Sequence, residues 1–222
     1  YQAIQPEIPG MACSNVLGQL TKIGQHLPNL PRAIGWMGLE SLRAEDWQPR
    51  EYLGKTYSPL AVNLARTWCK WIKSHPDATP EAMVQALAWA ERGSEVARGD
   101  DVLWLKWDMT LVLRQMGEFK RAAELLSSVI KAKRNEFWVW AEAGRLYLSD
   151  QPELALACFC RALECPAESK FLGRAHRELA SLLANQGDHA QASLEVTRAI
   201  EVQQTEGWPV GKELEALIAS PW

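Results

Sequence analysis

Five cysteines are the residues best suited to do chemistry in this chain, because thiolates bind metals and form disulfides. An odd number of cysteines without a C-x-x-C pair argues against a disulfide framework or a zinc site. Cys158 and Cys165 could share a helical face, whereas Cys160 would point elsewhere. We therefore predict inert, buried thiols, no metal site and no cofactor for the full set, which is Cys13, Cys69, Cys158, Cys160 and Cys165.

The other titratable groups form no recognisable catalytic pattern. The sequence contains no G-x-x-x-x-G-K-[ST] phosphate loop, no G-x-S-x-G elbow and no H-E-x-x-H zinc motif. The acidic pair Asp100 with Asp101 falls where helix capping explains it. We predict that the protein is not an enzyme, since four histidines fall mostly at expected helix ends or turns: His26, His75, His176 and His189.

Eleven tryptophans make the composition unusual. Each large aromatic side chain can bury about 150 to 250 Å² and so fix how neighbouring helices stack. At about 25 cal/mol per Å², full burial of one ring contributes at most about 4 to 6 kcal/mol. Core packing is therefore their expected role.

Charge and hydrophobicity narrow the class of protein. The chain has 222 residues, is 47% hydrophobic and carries a net charge of -3, which argues weakly against a dedicated nucleic-acid binder. It lacks both an uninterrupted apolar stretch long enough to span a bilayer and a secretory pattern. We expect a soluble, cytoplasmic protein without membrane contact. Because the sequence opens on Tyr1 and ends on Trp222, we also expect a fragment of a longer protein.

The first hundred residues predict helices without a repeat signature. Ser14 is expected to cap a helix over about residues 14–26, and a short helix follows over about 31–42. Residues 44–58 show no clear period and predict a loop, packed against the first helices by Trp47, Tyr52 and Tyr57. Two helices then form a divergent pair, over about residues 59–74 and 79–97.

A pattern with a period of about 34 residues begins near residue 100. Small residues such as Gly144 let paired helices approach closely, Phe159 fills the gap to the next pair, and Gly117 and Gly187 supply left-handed turns. The predicted helices cover about residues 102–116, 120–132, 136–148, 152–164, 170–185, 189–202 and 210–220. The clearest copy contains Trp140, Gly144, Tyr147, Ala155, Phe159, Ala162 and Pro166.

These residues resemble the tetratricopeptide family. The segment before them, which includes Trp47 and Tyr52, also resembles a little-characterised bacterial subgroup of such modules found inside larger multidomain proteins. The resemblance implies an all-α, right-handed solenoid of stacked antiparallel helix pairs with a concave binding surface. The expected organisation is a divergent N-terminal segment at 1–58, a divergent helix pair at 59–99, three repeats at 100–206 and a capping helix at 207–222.

The same resemblance implies that the first helices of successive pairs bind a partner protein or peptide. Leu111, Arg145 and Ser181 stand where a chaperone-tail clamp has asparagine, so that ligand is not expected. The arginines could bind carboxylates or phosphates, or they could be surface residues paired with glutamates at little energetic gain. The expected partner-binding residues are Trp104, Trp107, Arg114, Trp138, Glu142, Arg145, Arg174, Arg177, Ser181 and Asn185.

Three functions fit this organisation. The first is a non-catalytic interaction scaffold or adaptor that docks a partner protein, or another domain of its own longer chain, on a concave helical groove. The second is a nucleic-acid-associated module that uses inner arginines and exposed tryptophans. The third, more remote, is a regulatory subunit that restrains a defence nuclease or protease.

Overall fold

The computed structural model describes residues 9–219, and nearly all of its regular structure is helical. Two compact units divide this part of the chain, the first ending at Leu125 and the second beginning at Leu126. Helices dominate both units, which confirms the predicted all-α class.

The N-terminal helices are α1 (Met11–Ile23), which continues as a 3₁₀ turn, and α2 (Leu30–Met37). The predicted cap at Ser14 is wrong, because α1 begins at Met11 and Ser14 lies inside it. The Ser14 hydroxyl donates to the carboxylate of Asp46, a buried residue that also accepts from the backbone N–H of Arg43 at 3.0 Å. This buried network ties α1 to the segment that follows α2.

The predicted loop at residues 44–58 is partly ordered and differs from the expectation. It holds a 3₁₀ helix at Ala44–Trp47 and an antiparallel hairpin of β1 (Arg50–Tyr52) and β2 (Lys55–Tyr57). Leu53 and Gly54 form the turn with positive φ angles of 49° and 71°, the geometry that a tight hairpin requires. Tyr52 is 65% exposed, so it does not pack against the first helices as predicted.

The helices predicted over about residues 59–74 and 79–97 are present as α3 (Leu60–Ser74) and α4 (Pro80–Val96). Thr79 caps α4, its hydroxyl accepting from the backbone N–H of Ala82 at 3.3 Å. Trp68 is fully buried, and its ring lies 5.9 Å from that of Trp89. These two tryptophans pack in the core, as the sequence analysis expected for tryptophan.

The helices and turns predicted after residue 100 are present in the structure. Gly117 and Gly187 have φ angles of 78° and 84°, as expected for turns between paired helices. In the helix nearest the C-terminus, Leu214 is fully buried against Ala180 and Val196. The helices are α5 (Asp100–Gln115), α6 (Phe119–Ala132), α7 (Phe137–Tyr147), α8 (Pro152–Glu164), α9 (Ser169–Asn185), α10 (His189–Glu206) and α11 (Lys212–Ile218).

Gly144 is a residue of the repeat pattern whose lack of a side chain has a clear steric reason. A Cβ atom on Gly144 would lie 2.7 Å from Cε1 of Phe159, closer than side chains tolerate. Phe159 itself is fully buried in a cluster that includes Ala155 and Leu179. The pair α7–α8 therefore depends on a missing side chain in one helix and a large one in the other.

Not every tryptophan serves the core. Trp68, Trp71 and Trp89 are buried, whereas Trp36 is 77% exposed and Trp208 is 50% exposed. Among residues 9–219, no helix is both long enough and apolar enough to cross a membrane.

Candidate functional site

The first candidate surface is a cleft between α3 and α5, two helices that contact each other in the N-terminal unit. We call it the basic-aromatic cleft, and its volume is about 380 Å³. Residues three or four positions apart lie on the same face of a helix, as Lys70 and Lys73 do on α3 and Trp104 and Trp107 do on α5. Its lining residues are Arg66, Lys70, Lys73, Ser74, Trp104, Trp107 and Asp108.

A buried ion pair joins the two helices at this cleft. Nε of Arg66 donates to Oδ2 of Asp108 at 2.9 Å, and the Asp108 side chain is only 5% exposed. The Arg66 guanidinium also lies 5.8 Å from the Trp104 ring centroid and 4.0 Å from Oδ1 of Asp101. Burial raises the pKa of the Asp108 carboxyl, although the Arg66 hydrogen bond and nearby lysine charges act in the opposite direction.

The cleft gathers two of the predicted binding residues and leaves a third outside. Trp104 and Trp107 are half-buried on α5 and line it together. Arg114 is half-buried further along the same helix and is not among the lining residues. Lys70 and Lys73 are exposed, and neither ammonium group forms an ion pair with any residue in the described part of the chain.

The second candidate surface lies on α7 and α9 in the C-terminal unit. Arg145 joins the two helices, its Nε donating to both Glu178 carboxylate oxygens at 2.9 and 3.0 Å. Its Nη1 donates to Oε2 of Glu142 at 2.8 Å, and Nε of Arg174 donates to Oε1 of Glu178 at the same distance. Three predicted binding residues therefore belong to one network of opposite charges.

The remaining predicted residues are dispersed around this network. Nη2 of Arg177 lies 2.9 Å from Oε2 of Glu213 in α11, so the last helix lies beside this surface. Ser181 is exposed and lines a second cleft of about 510 Å³ with Arg174 and Arg177. Two residues lie outside that cleft: Asn185, exposed at the end of α9, and Trp138, which donates to Glu136 at 3.3 Å.

Sequence reasoning missed the basic face of α3. Arg66, Lys70 and Lys73 recur at i, i+4 and i+7, which places three cations on one helical face. The signal was present but lay in a helix pair without repeat signature residues. Asp108 was also missed, because its role depends on Arg66, which lies 42 positions earlier in the chain.

Other ionisable groups have structural partners. His176 Nδ1 lies 2.6 Å from Oε2 of buried Glu195, and Arg198 contacts the other oxygen of that carboxylate at 2.5 Å. Within residues 9–219, no group of three or more histidine, cysteine or acidic side chains is arranged to hold a metal ion. Burial raises the pKa of three buried thiols, Cys69, Cys158 and Cys165. The prediction of a buried thiol is wrong for Cys160, which is exposed on α8, although partial desolvation raises its pKa as well.

Solved structures with a similar fold indicate the fold class of this protein. MamA 41-end from Desulfovibrio magneticus RS-1, a TPR-like helical-repeat protein, aligns with a TM-score of 0.63 at 14% identity, covering 89% of this chain and 98% of that one. BtubC (BKLC) from P. vanneervenii aligns with a TM-score of 0.54 at 19% identity, covering 90% and 82%. The fold is therefore the all-α, TPR-like solenoid class.

The family follows from the sequence. A family model described as "Domain of unknown function (DUF7017)" matches residues 103–222, more than half of the chain. The chain belongs to this family. No curated protein sequence matches this chain significantly.

Proposed function

We propose that this chain is a non-catalytic protein-interaction scaffold or adaptor. It docks a partner protein, or a neighbouring domain of a longer chain, on the first helices of its helix pairs. The observation that carries this proposal is the pairing of exposed lysines on α3 with half-buried tryptophans on α5. These residues leave charge and aromatic surface exposed beside a well-packed core.

The fold class supports the proposal, because helical-repeat proteins present extended binding surfaces built from successive repeats. The contacts of the acidic residues support the proposal that the protein is not a catalyst. Asp46, Asp108, Glu142 and Glu178 each contact an arginine within their own unit, and the contacts of Asp108 and Glu178 join two helices.

The test is capture of a partner from cells that produce the protein, with the natural chain and two charge-reversed variants. Arg174→Glu with Arg177→Glu alters the cleft beside Ser181. Lys131→Glu with Arg134→Glu makes the same charge change on exposed residues outside it. We expect the first variant to lose a specific partner and the second to keep it, while circular dichroism shows both folded. Equal capture by both variants would remove these arginines from the binding surface, and no specific partner for the natural chain would contradict the scaffold function.

A further inference from the structure

The three cations of the basic-aromatic cleft differ in burial and in ion pairing. Arg66 has a structural role, because its side chain is only 19% exposed and its Nε lies 2.9 Å from Oδ2 of Asp108. Lys70 and Lys73 lie one and two turns further along α3, are exposed and form no ion pair within residues 9–219, although the charges of both act on the Asp108 carboxyl. Two positive charges are therefore available to a ligand on a wall that the ion pair already holds in place.

The opposite wall is aromatic. Trp104 and Trp107 lie one turn apart on α5, and both are half-buried in the cleft. Half-buried indoles offer a large, rigid apolar surface that loses little conformational entropy on binding, and such residues dominate binding energy at interfaces. Apolar contact on one side and positive charge on the other define the ligand's chemistry.

We propose that this cleft binds an acidic segment of a partner protein. Glutamate or aspartate side chains contact Lys70 and Lys73, and an apolar or aromatic side chain of the same segment packs against Trp104 and Trp107. The inference rests on the proposed scaffold function and names the partner chemistry of one of its surfaces.

Charge favours a peptide over a nucleic acid, and the lysine spacing permits a peptide. The Asp108 and Asp101 carboxylates lie beside Arg66, so they offset part of the positive charge and oppose a densely charged phosphate backbone. The two lysines are three residues apart on one helix, a separation of about 5 to 6 Å between Cβ atoms. Two carboxylates of one short peptide can span that distance.

The experiment measures fluorescence anisotropy with a labelled short peptide of glutamates interrupted by phenylalanine. Two comparison probes are the same peptide with glutamine in place of glutamate, and a labelled single-stranded oligothymidylate. We expect saturable binding of the acidic peptide, and binding of the glutamine peptide that is weaker by about tenfold or more. No saturation by the acidic peptide, or tighter binding of the oligonucleotide, would overturn the inference.

Matched variants test the position of the site. Lys70→Glu with Lys73→Glu should weaken peptide binding by about tenfold or more. Lys55→Glu with Lys120→Glu changes the same charge on exposed lysines of the same unit outside the cleft, and should have less than about a threefold effect. Equal weakening by the two pairs would show attraction by net charge alone and would overturn the site.

The outcome also separates this inference from the scaffold function. If a native partner is captured equally well by the natural chain and by the Lys70→Glu, Lys73→Glu variant, the acidic-segment inference fails and the scaffold function stands. If the natural chain captures no specific partner, the scaffold function fails.

Discussion

Arg145 and Glu178 join two neighbouring first helices of the C-terminal unit. Nε of the arginine lies 2.9 and 3.0 Å from the two carboxylate oxygens, and both side chains are 15% exposed. An arginine held in this way contributes to the shape and charge of a binding surface mainly by fixing helix positions. Its role as a direct partner contact stays a prediction.

Replacing Arg145 should therefore affect stability more than replacing its exposed neighbour. Arg145→Ala removes the guanidinium from buried Glu142 and from Glu178, and we expect a loss of about 3 kcal/mol in the free energy of unfolding. Arg174→Ala removes a side chain that is 59% exposed, and should cost less than about 0.5 kcal/mol. Urea unfolding measures both, and equal losses would contradict this account of the network.

Gly144 and Phe159 should be energetically coupled. Gly144→Ala places a Cβ 2.7 Å from the Phe159 ring, and we expect it to cost about 1 to 3 kcal/mol. Phe159→Ala should cost about 3 to 5 kcal/mol, because the ring is fully buried.

A double-mutant cycle tests the coupling. With leucine at position 159, the added methyl group at position 144 should cost clearly less than it does beside phenylalanine. Additive losses in the Gly144→Ala, Phe159→Leu variant would show that the two positions do not share this contact.

The helices and turns after residue 100 could be predicted from the sequence, because single residues at fixed spacings mark them. Gly117, Gly187 and Gly144 each occupy a position where a side chain would be strained, so their spacing marks the turns and the close helix contact. The hairpin at residues 50–57 was missed because two three-residue strands carry too little alternation to stand out. Its turn depends on Leu53 adopting a positive φ angle, which leucine rarely does.

The residues of the two candidate surfaces were predicted less completely than the fold. Trp104 and Trp107 followed from the repeat register, but their cleft partners lie on α3, where no signature residue set the register. The Arg66 and Asp108 pair is a long-range contact that only the folded chain reveals. The cytoplasmic location and the origin as a fragment of a longer protein stay predictions.

Asp46 should make stability depend on pH. Burial opposes ionisation, but hydrogen bonds from Ser14 and Arg43 and the Arg43 charge outweigh it and lower the Asp46 pKa. A native pKa below the unfolded value, near 3.8, stabilises the fold above that pH, and this contribution is lost as pH falls through the native pKa.

The matching variant is Asp46→Asn, which should lose about 2 to 3 kcal/mol at pH 7 because Arg43 and Ser14 lose a charged acceptor. The difference in unfolding free energy between the two proteins should shrink below about pH 4. Guanidinium unfolding across this range measures it. A difference that stays constant with pH would contradict the proposed role of the charge.

Salt dependence separates the scaffold from a nucleic-acid-associated module. At about 0.15 M salt we expect only weak binding to heparin or single-stranded DNA, because the chain carries a net charge of -3 and its inner arginines are paired with glutamates. Affinity chromatography across a salt gradient tests this. Tight binding at that salt concentration, falling steeply as salt rises, would favour the nucleic-acid module.

Site-specific photo-cross-linking in cells that produce the protein tests the central claim most directly. A photoreactive amino acid is placed at Ser74 and at Ser181, each of which lines a cleft on the first helices. Matched positions on the second helices are Val84 on α4 and Leu194 on α10, which are 54% and 52% exposed. We predict discrete cross-linked partners from Ser74 or Ser181 and none from the matched positions. Cross-links from Val84 or Leu194 alone, or from no position, would contradict docking on the first helices.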